Sequence, residues 1–210
     1  MIPFDAVVLA GGAGRRLGGA DKPGQLVGGR SLLDRVLDAV AAAEQTIVVG
    51  PERPTARPVS WVREEPAGGG PVAGLAAGLP PVRAGLMLLV AGDLPFLDAS
   101  IVALLVESVS SGNGALLVDE SGRDQLLVGA WRTEALRAVV PAEPAGGRLA
   151  GLLTGLAPVR LTLPALAGPA PWFDCDTAQD LATARAIAGA SASAGVSASA
   201  GASASAGARA

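Results

Sequence analysis

The sequence predicts an α/β domain built on a largely parallel sheet. Short valine-rich apolar runs bounded by glycine recur along the chain, and each reads as a buried strand. Between them lie stretches with apolar residues at helical spacing behind a capping residue. The two kinds of segment alternate in chain order, as they do in folds that cover a parallel sheet with crossover helices.

The first strand is Ala6 to Ala10, which runs into glycines. Leu32, Leu33, Val36, Leu37 and Val40 follow at helical spacing, so a helix spans Ser31 to Ala43 with Ser31 as N-cap. Thr46 to Val49 and Val59 to Val62 are β-branched runs with turn residues between them, the first ending at Gly50-Pro51. Gly68-Gly69-Gly70 leads to Pro71 at a first helical position, and the helix continues from Val72 to Leu79. Leu86 to Ala91 is the most apolar strand and ends at Gly92-Asp93-Leu94-Pro95. Asp98 or Ser100 caps a helix through Ser110. Strands follow at Ala115 to Val118 and Gln125 to Ala130, then helices at Thr133 to Val140 and Arg148 to Leu153. A last helix, Thr177 to Ala188, is capped by Thr177 or Asp176.

The domain therefore spans residues 1–188. Residues 189–210 are an Ala/Ser/Gly repeat whose only charge is Arg209, a composition that buries too little surface to offset its ordering entropy and reads as a disordered tail.

Composition narrows the chemistry. No apolar run approaches the ~20 residues that span a bilayer, and the N-terminal residues lack the basic region and cleavage site of a secretory signal, so a cytoplasmic protein without a membrane partner is expected. Cys175 is the only cysteine, which excludes an intrachain disulfide and a cysteine zinc cluster. Histidine and tyrosine are absent, which removes Ser-His-Asp and Cys-His catalysis. A net charge of −3 with only three Trp and three Phe gives neither the basic face nor the stacking platform of a nucleic-acid binder. Of 16 basic residues the single lysine is Lys22. A compact ammonium is not interchangeable with a guanidinium at a phosphate, which singles Lys22 out.

A strand that enters a glycine-rich turn leaves backbone N–H groups at the carboxyl edge of the sheet, where anions bind. Leu9, Ala10, Gly11, Gly12 and Gly14 fit that description. Two familiar patterns are excluded. Lys22 follows Asp21 and precedes Pro23, so it is not in a Gly-Lys-Ser/Thr P-loop; Gly12, Gly14 and Gly18 are spaced one residue too wide for the dinucleotide pattern.

What remains is Leu-Ala-Gly-Gly-x-Gly-x-Arg-x-Gly with Asp21-Lys22 shortly after. With it come Gly70-Pro71-Val72-Ala73-Gly74-Leu75, Gly92-Asp93-Leu94-Pro95-Phe96, and Phe173-Asp-Cys-Asp-Thr177 with Asp180-Leu181. In this set, over roughly residues 5 to 188, the chain resembles the molybdenum cofactor guanylyltransferases and the NTP transferases related to them. The resemblance implies a Rossmann-like three-layer α/β sandwich with a mixed, mostly parallel sheet, of the nucleotide-diphospho-sugar transferase type. It also implies transfer of GMP from Mg-GTP to the phosphate of Mo-molybdopterin with release of pyrophosphate. Apo-molybdoenzymes or their chaperones would be partners.

By the same resemblance, backbone amides from Gly11 to Gly14 cradle the triphosphate, Lys22 with Arg15 or Arg16 neutralises it, and Asp93 holds Mg2+. No covalent nucleophile is needed, which suits a chain without histidine. Magnesium commonly takes one or two protein carboxylates, so Asp93 could suffice, with a second ligand from Asp174 to Asp176. Glu65 matches the acidic residue that contacts guanine. The chain departs from the family at Gly50, where an asparagine is usual, and at Asp-Cys-Asp, where Asn-x-Asn is usual. Cys175, between two acids, is expected to be packed and inert. Alternatives are a cytidylyltransferase on the same cofactor, a guanylyltransferase for another phosphorylated metabolite, and a non-catalytic nucleotide-binding carrier. A nicotinamide-dependent oxidoreductase is disfavoured by the glycine misfit.

Overall fold

The structure is a computed structural model that describes residues 2–11, 21–109, 112–164 and 168–190. Seven strands form one sheet: β1 (Asp5–Leu9), β4 (Thr46–Val49), β5 (Ser60–Val62), β6 (Leu86–Ala91), β7 (Gly114–Val118), β8 (Asp124–Arg132) and β9 (Val159–Thr162), in the order β5-β4-β1-β6-β8-β7-β9. The pairs β4–β5, β1–β4, β1–β6 and β7–β9 are parallel, while β8 is antiparallel to both β6 and β7. β8 alone therefore runs against the rest, which makes the sheet mixed and mostly parallel. A two-stranded ribbon, β2 (Leu26–Val27) with β3 (Arg30–Ser31), stands apart.

Strand alternation builds two core layers. Ala6, Val8, Val48, Leu88 and Val90 face α1 (Leu32–Ala39) and α3 (Ala99–Ser108), where Leu33, Val36, Val102 and Leu105 complete one core. Val7, Ile47, Val49, Met87 and Leu89 point the other way, onto Val72 and Leu75 of α2 (Pro71–Gly78), Leu136 of α4 (Thr133–Val139), and Leu149 and Leu153 of α5 (Leu149–Leu153). β6 is apolar at every position, and β1 at every position after Asp5, because both faces are covered. α2 lies close against the sheet because Gly78 has no side chain: a Cβ there would sit 2.5 Å from Val7 Cγ1.

The predicted elements recur with small changes at their ends. Ser31 Oγ accepts from Asp34 N at 3.0 Å, but α1 ends at Ala39, before the predicted Ala43. Asp98 rather than Ser100 caps α3, its Oδ1 accepting from the amides of Ser100 at 2.8 Å and Ile101 at 3.0 Å. The last helix, α6, covers residues 178–190. Thr177 caps it in a reciprocal box: Thr177 Oγ1 accepts from Asp180 N, and Asp180 Oδ2 accepts from Thr177 N. It reaches two residues into the segment expected to be a tail, and residues 191–210 lie outside the described residues. The ribbon and β9 are additions to the predicted set. No helix among the described residues is long and apolar enough to cross a membrane.

Candidate active site

Because β5, β4, β1 and β6 are adjacent and parallel, Glu64, Gly50, Gly11 and Asp93 all follow carboxyl ends on one edge of the sheet. Open α/β sheets bind ligands at that edge. Ala10 N donates to Val49 O at 2.8 Å and Gly92 N donates to Leu9 O at 2.9 Å, so the exit of β1 is tied to both neighbours. Gly50 is required by this closeness. A Cβ there would sit 2.8 Å from Ala10 C, Ala10 O and Gly11 N, and its φ of 146° is one that side chains avoid. The departure from asparagine at this position thus has a local cause.

Between this edge and the start of α2 lies a cavity of about 430 Å³ lined by Leu9, Gly11, Glu64, Gly70, Pro71 and Asp93 among others. Of the two adjacent acids after β5, Glu64 and not Glu65 lines it. Glu65 is exposed, whereas Glu64 lies close to Gly11 and its Oε1 accepts from Gly68 N at 3.2 Å. On a strand exit, neighbouring side chains point to opposite sides, so adjacent acids divide between cavity and solvent. A second cavity, of about 660 Å³, shares Pro71, Ala91 and Leu127 with the first and extends past Arg123, Arg148, Trp172 and Asp174.

Near the first cavity Lys22 meets two carboxylates. Its Nζ pairs with Asp93 Oδ2 and lies 2.5 Å from Asp176 Oδ1, with the Lys22 and Asp93 side chains largely covered. Burial works against the ammonium, but Asp93 and the hydrogen bond to Asp176 outweigh it, so the Lys22 pKa is raised. Asp174, two residues away, has its carboxyl pKa raised by partial burial and by Asp176 and Asp93. Cys175 is fully buried between them, and its thiol is pushed up to about 12, first by burial and then by Asp93, in keeping with the expected inert thiol.

The structure therefore brings together Leu9, Ala10, Gly11, Lys22 and Asp93 of the predicted residues. It leaves Glu65 at the surface beside them. Gly12, Gly14, Arg15 and Arg16 lie outside the described residues. Of the stretch Asp174 to Asp176 it brings Asp176 to Lys22, and it adds Glu64 and Arg53, whose Nη1 lies 2.7 Å from Asp21 Oδ1. Neither Glu64 nor Arg53 carries a signal in the sequence, since each acts through a neighbour that only the fold supplies. Among the described residues no group of three or more His, Cys, Asp or Glu side chains is gathered as a metal cage. Asp93 and Asp176 nevertheless converge on one cation, the Lys22 ammonium, and such a pair of hard oxygen donors would suit a magnesium ion, taking its remaining ligands from phosphate and water, when Lys22 turns to the phosphates.

Residues 6–140 match the model of the MobA-like NTP transferase domain. The chain belongs to the MobA-like NTP transferase family. A molybdenum cofactor guanylyltransferase of Bradyrhizobium sp. (strain ORS 278) is 32% identical over 190 residues, covering 84% of this chain and 89% of the relative. Two solved structures share the fold. A molybdopterin-guanine dinucleotide biosynthesis protein A from Archaeoglobus fulgidus superposes with a TM-score of 0.67 at 21% identity, over 87% of this chain and 97% of the other. A nucleotidyl transferase from Methanothermobacter reaches 0.71 at 20% identity, over 89% and 97%. The family match takes in β1, Lys22, Glu64 and Asp93 but stops before Asp176, which the fold returns to the same point.

Proposed function

We propose that this protein transfers GMP from Mg-GTP to the terminal phosphate of Mo-molybdopterin, forming the guanine dinucleotide form of the cofactor and releasing pyrophosphate. One observation carries the reading: the Lys22–Asp93–Asp176 cluster lies beside two adjoining cavities at the sheet edge, which we assign one to each reactant. The similarity to molybdenum cofactor guanylyltransferases supports the choice of base and acceptor.

An oxygen of the acceptor phosphate attacks the α-phosphorus as the bond to pyrophosphate breaks, and negative charge builds on both sides of that phosphorus. The residues of the site lower this barrier by geometry and charge. Backbone amides after β1 bind phosphate oxygens, and Lys22 neutralises the developing charge. Asp93, with Asp176, would hold Mg2+, which supplies further neutralisation of the triphosphate and the leaving group. Glu64 accepts the N1–H and N2–H donors of guanine from its place in the first cavity. The second cavity takes the acceptor, with Arg123 and Arg148 on its rim as cationic partners for an anionic ligand.

The test is pyrophosphate release from each of the four nucleoside triphosphates with Mg2+, with and without Mo-molybdopterin. Release that requires both GTP and acceptor is expected, and EDTA abolishes it. A preference for CTP rejects the guanine assignment, and GTP binding without turnover identifies a carrier instead.

A further inference from the structure

Arg53 belongs to the loop that follows β4, yet its side chain is only 12% exposed. A covered guanidinium loses hydration and is retained only where partners replace it. The partners of Arg53 are specific. Nε and Nη2 donate to Pro51 O at 3.3 and 3.2 Å, which fixes the side chain to its own loop. Nη2 also reaches Ala10 O at 3.5 Å, and Nη1 pairs with Asp21 Oδ1 at 2.7 Å. Ala10 leads out of β1 into the glycine-rich segment, and Asp21 closes that segment immediately before Lys22. One planar group thus touches both ends of the phosphate loop. Gly24 adapts to this arrangement: a Cβ there would overlap Asp21 Oδ2.

We infer that Arg53 is a positioning residue for the transfer reaction: by holding Ala10 O and the Asp21 carboxylate together, it fixes the two ends of the glycine loop and, through the Asp21–Lys22 link, places the Lys22 ammonium against Asp93. The planar fork matters as well as the charge. A lysine could meet the carboxylate or the carbonyl from this loop, but its single ammonium lacks the spread of donors that meets both. The catalytic part of this inference rests on the transferase reading above.

The test uses the full chain and the variants Arg53→Ala, Arg53→Lys, Asp21→Asn and the Arg53→Ala/Asp21→Asn double. In the ligand-free protein, hydrogen–deuterium exchange in the segments holding Ala10–Gly11 and Asp21–Gly24 rises several-fold in each single variant, while β6 stays protected. The double variant exchanges no faster than Arg53→Ala, because loss of Arg53 already removes its pairing with Asp21. In pyrophosphate release, kcat falls about ten- to a hundredfold in the singles, misplacement of a reacting group having that scale of effect, with no further loss in the double. Wild-type exchange in the variants, or single effects that multiply in the double, overturns the inference. If Arg53→Ala loosens the whole sheet, Asp21→Asn, at a half-exposed side chain, carries the test. A wild-type protein inactive with every triphosphate refutes the transferase reading, while the exchange pattern still decides whether Arg53 holds the loop ends.

Discussion

Lys22 and Asp176 lie 154 positions apart in the chain, and their side chains meet at 2.5 Å. The link joins the end of the glycine loop to the segment before α6, and Asp93 at the end of β6 completes it. The ammonium is held protonated: its pKa is raised although burial opposes the charge. A group whose folded pKa is raised stabilises the fold below its unfolded value, about 10.4 for lysine, and loses that contribution as pH rises through the folded value. Across the neutral range Lys22 is therefore a constant cation.

Lys22→Met is expected to lower pyrophosphate release by about 10²- to 10³-fold, the scale seen when one preorganised charge-stabilising donor is removed, with the circular dichroism spectrum unchanged. Lys22→Arg does not restore the rate, because a planar fork does not reproduce a compact ammonium between two carboxylates.

Removing that ammonium takes away the cation that Asp93 and Asp176 share. Mn2+ binding to nucleotide-free Lys22→Met, followed by the electron paramagnetic resonance signal of free Mn2+, is tighter than to wild type. Asp93→Asn weakens it in the same background. Binding indifferent to Asp93 would remove this residue from the metal site.

The two neighbouring acids after β5 separate cleanly. Glu64→Gln raises the KM for GTP about tenfold or more, hydrogen bonds to a charged group being worth ~1.5–3 kcal/mol. Glu65→Gln, at an exposed side chain, leaves it within twofold, about the scatter of surface substitutions. The reverse order returns the base contact to Glu65.

Asp98 gives a pH-dependent stability. Burial opposes its charge, but hydrogen bonds from Ser100 and from the Ile101 amide outweigh it, so its pKa is lowered. A lowered folded pKa contributes stability above the unfolded value, near 3.9 for aspartate, and loses it as pH falls through the folded value. Asp98→Ala therefore costs ~1 kcal/mol at pH 6, an ordinary N-cap effect. In urea titrations the difference from wild type shrinks below about pH 4.

Cys175, buried and with its thiol pKa near 12, does not react with Ellman's reagent at pH 8 until the protein is unfolded. Titration of the thiol in native buffer and in guanidinium chloride checks this.

The sequence by itself determined the strand–helix order, the cap at Ser31, Pro71 at the start of α2, and the family motifs around Gly11, Lys22 and Asp93, and it narrowed the cap of α3 to Asp98 or Ser100. These are local signals: period, cap chemistry and short motifs are written in neighbouring residues. β9 escaped although Val159-Arg160-Leu161-Thr162 alternates apolar and polar, because four residues between turns give a weak pattern until β7 pairs with them. Other features were decided only by the tertiary structure. The sheet order sets which strand ends share an edge, and thus which acids become neighbours. The exit of β5 turns Glu64 inward and Glu65 outward. The return of the chain before α6 brings Asp176, rather than Asp174, to Lys22, and the loop after β4 lays Arg53 across both ends of the glycine loop. These contacts join residues dozens to more than a hundred positions apart, and their partners are selected by packing and topology rather than by any pattern along the chain.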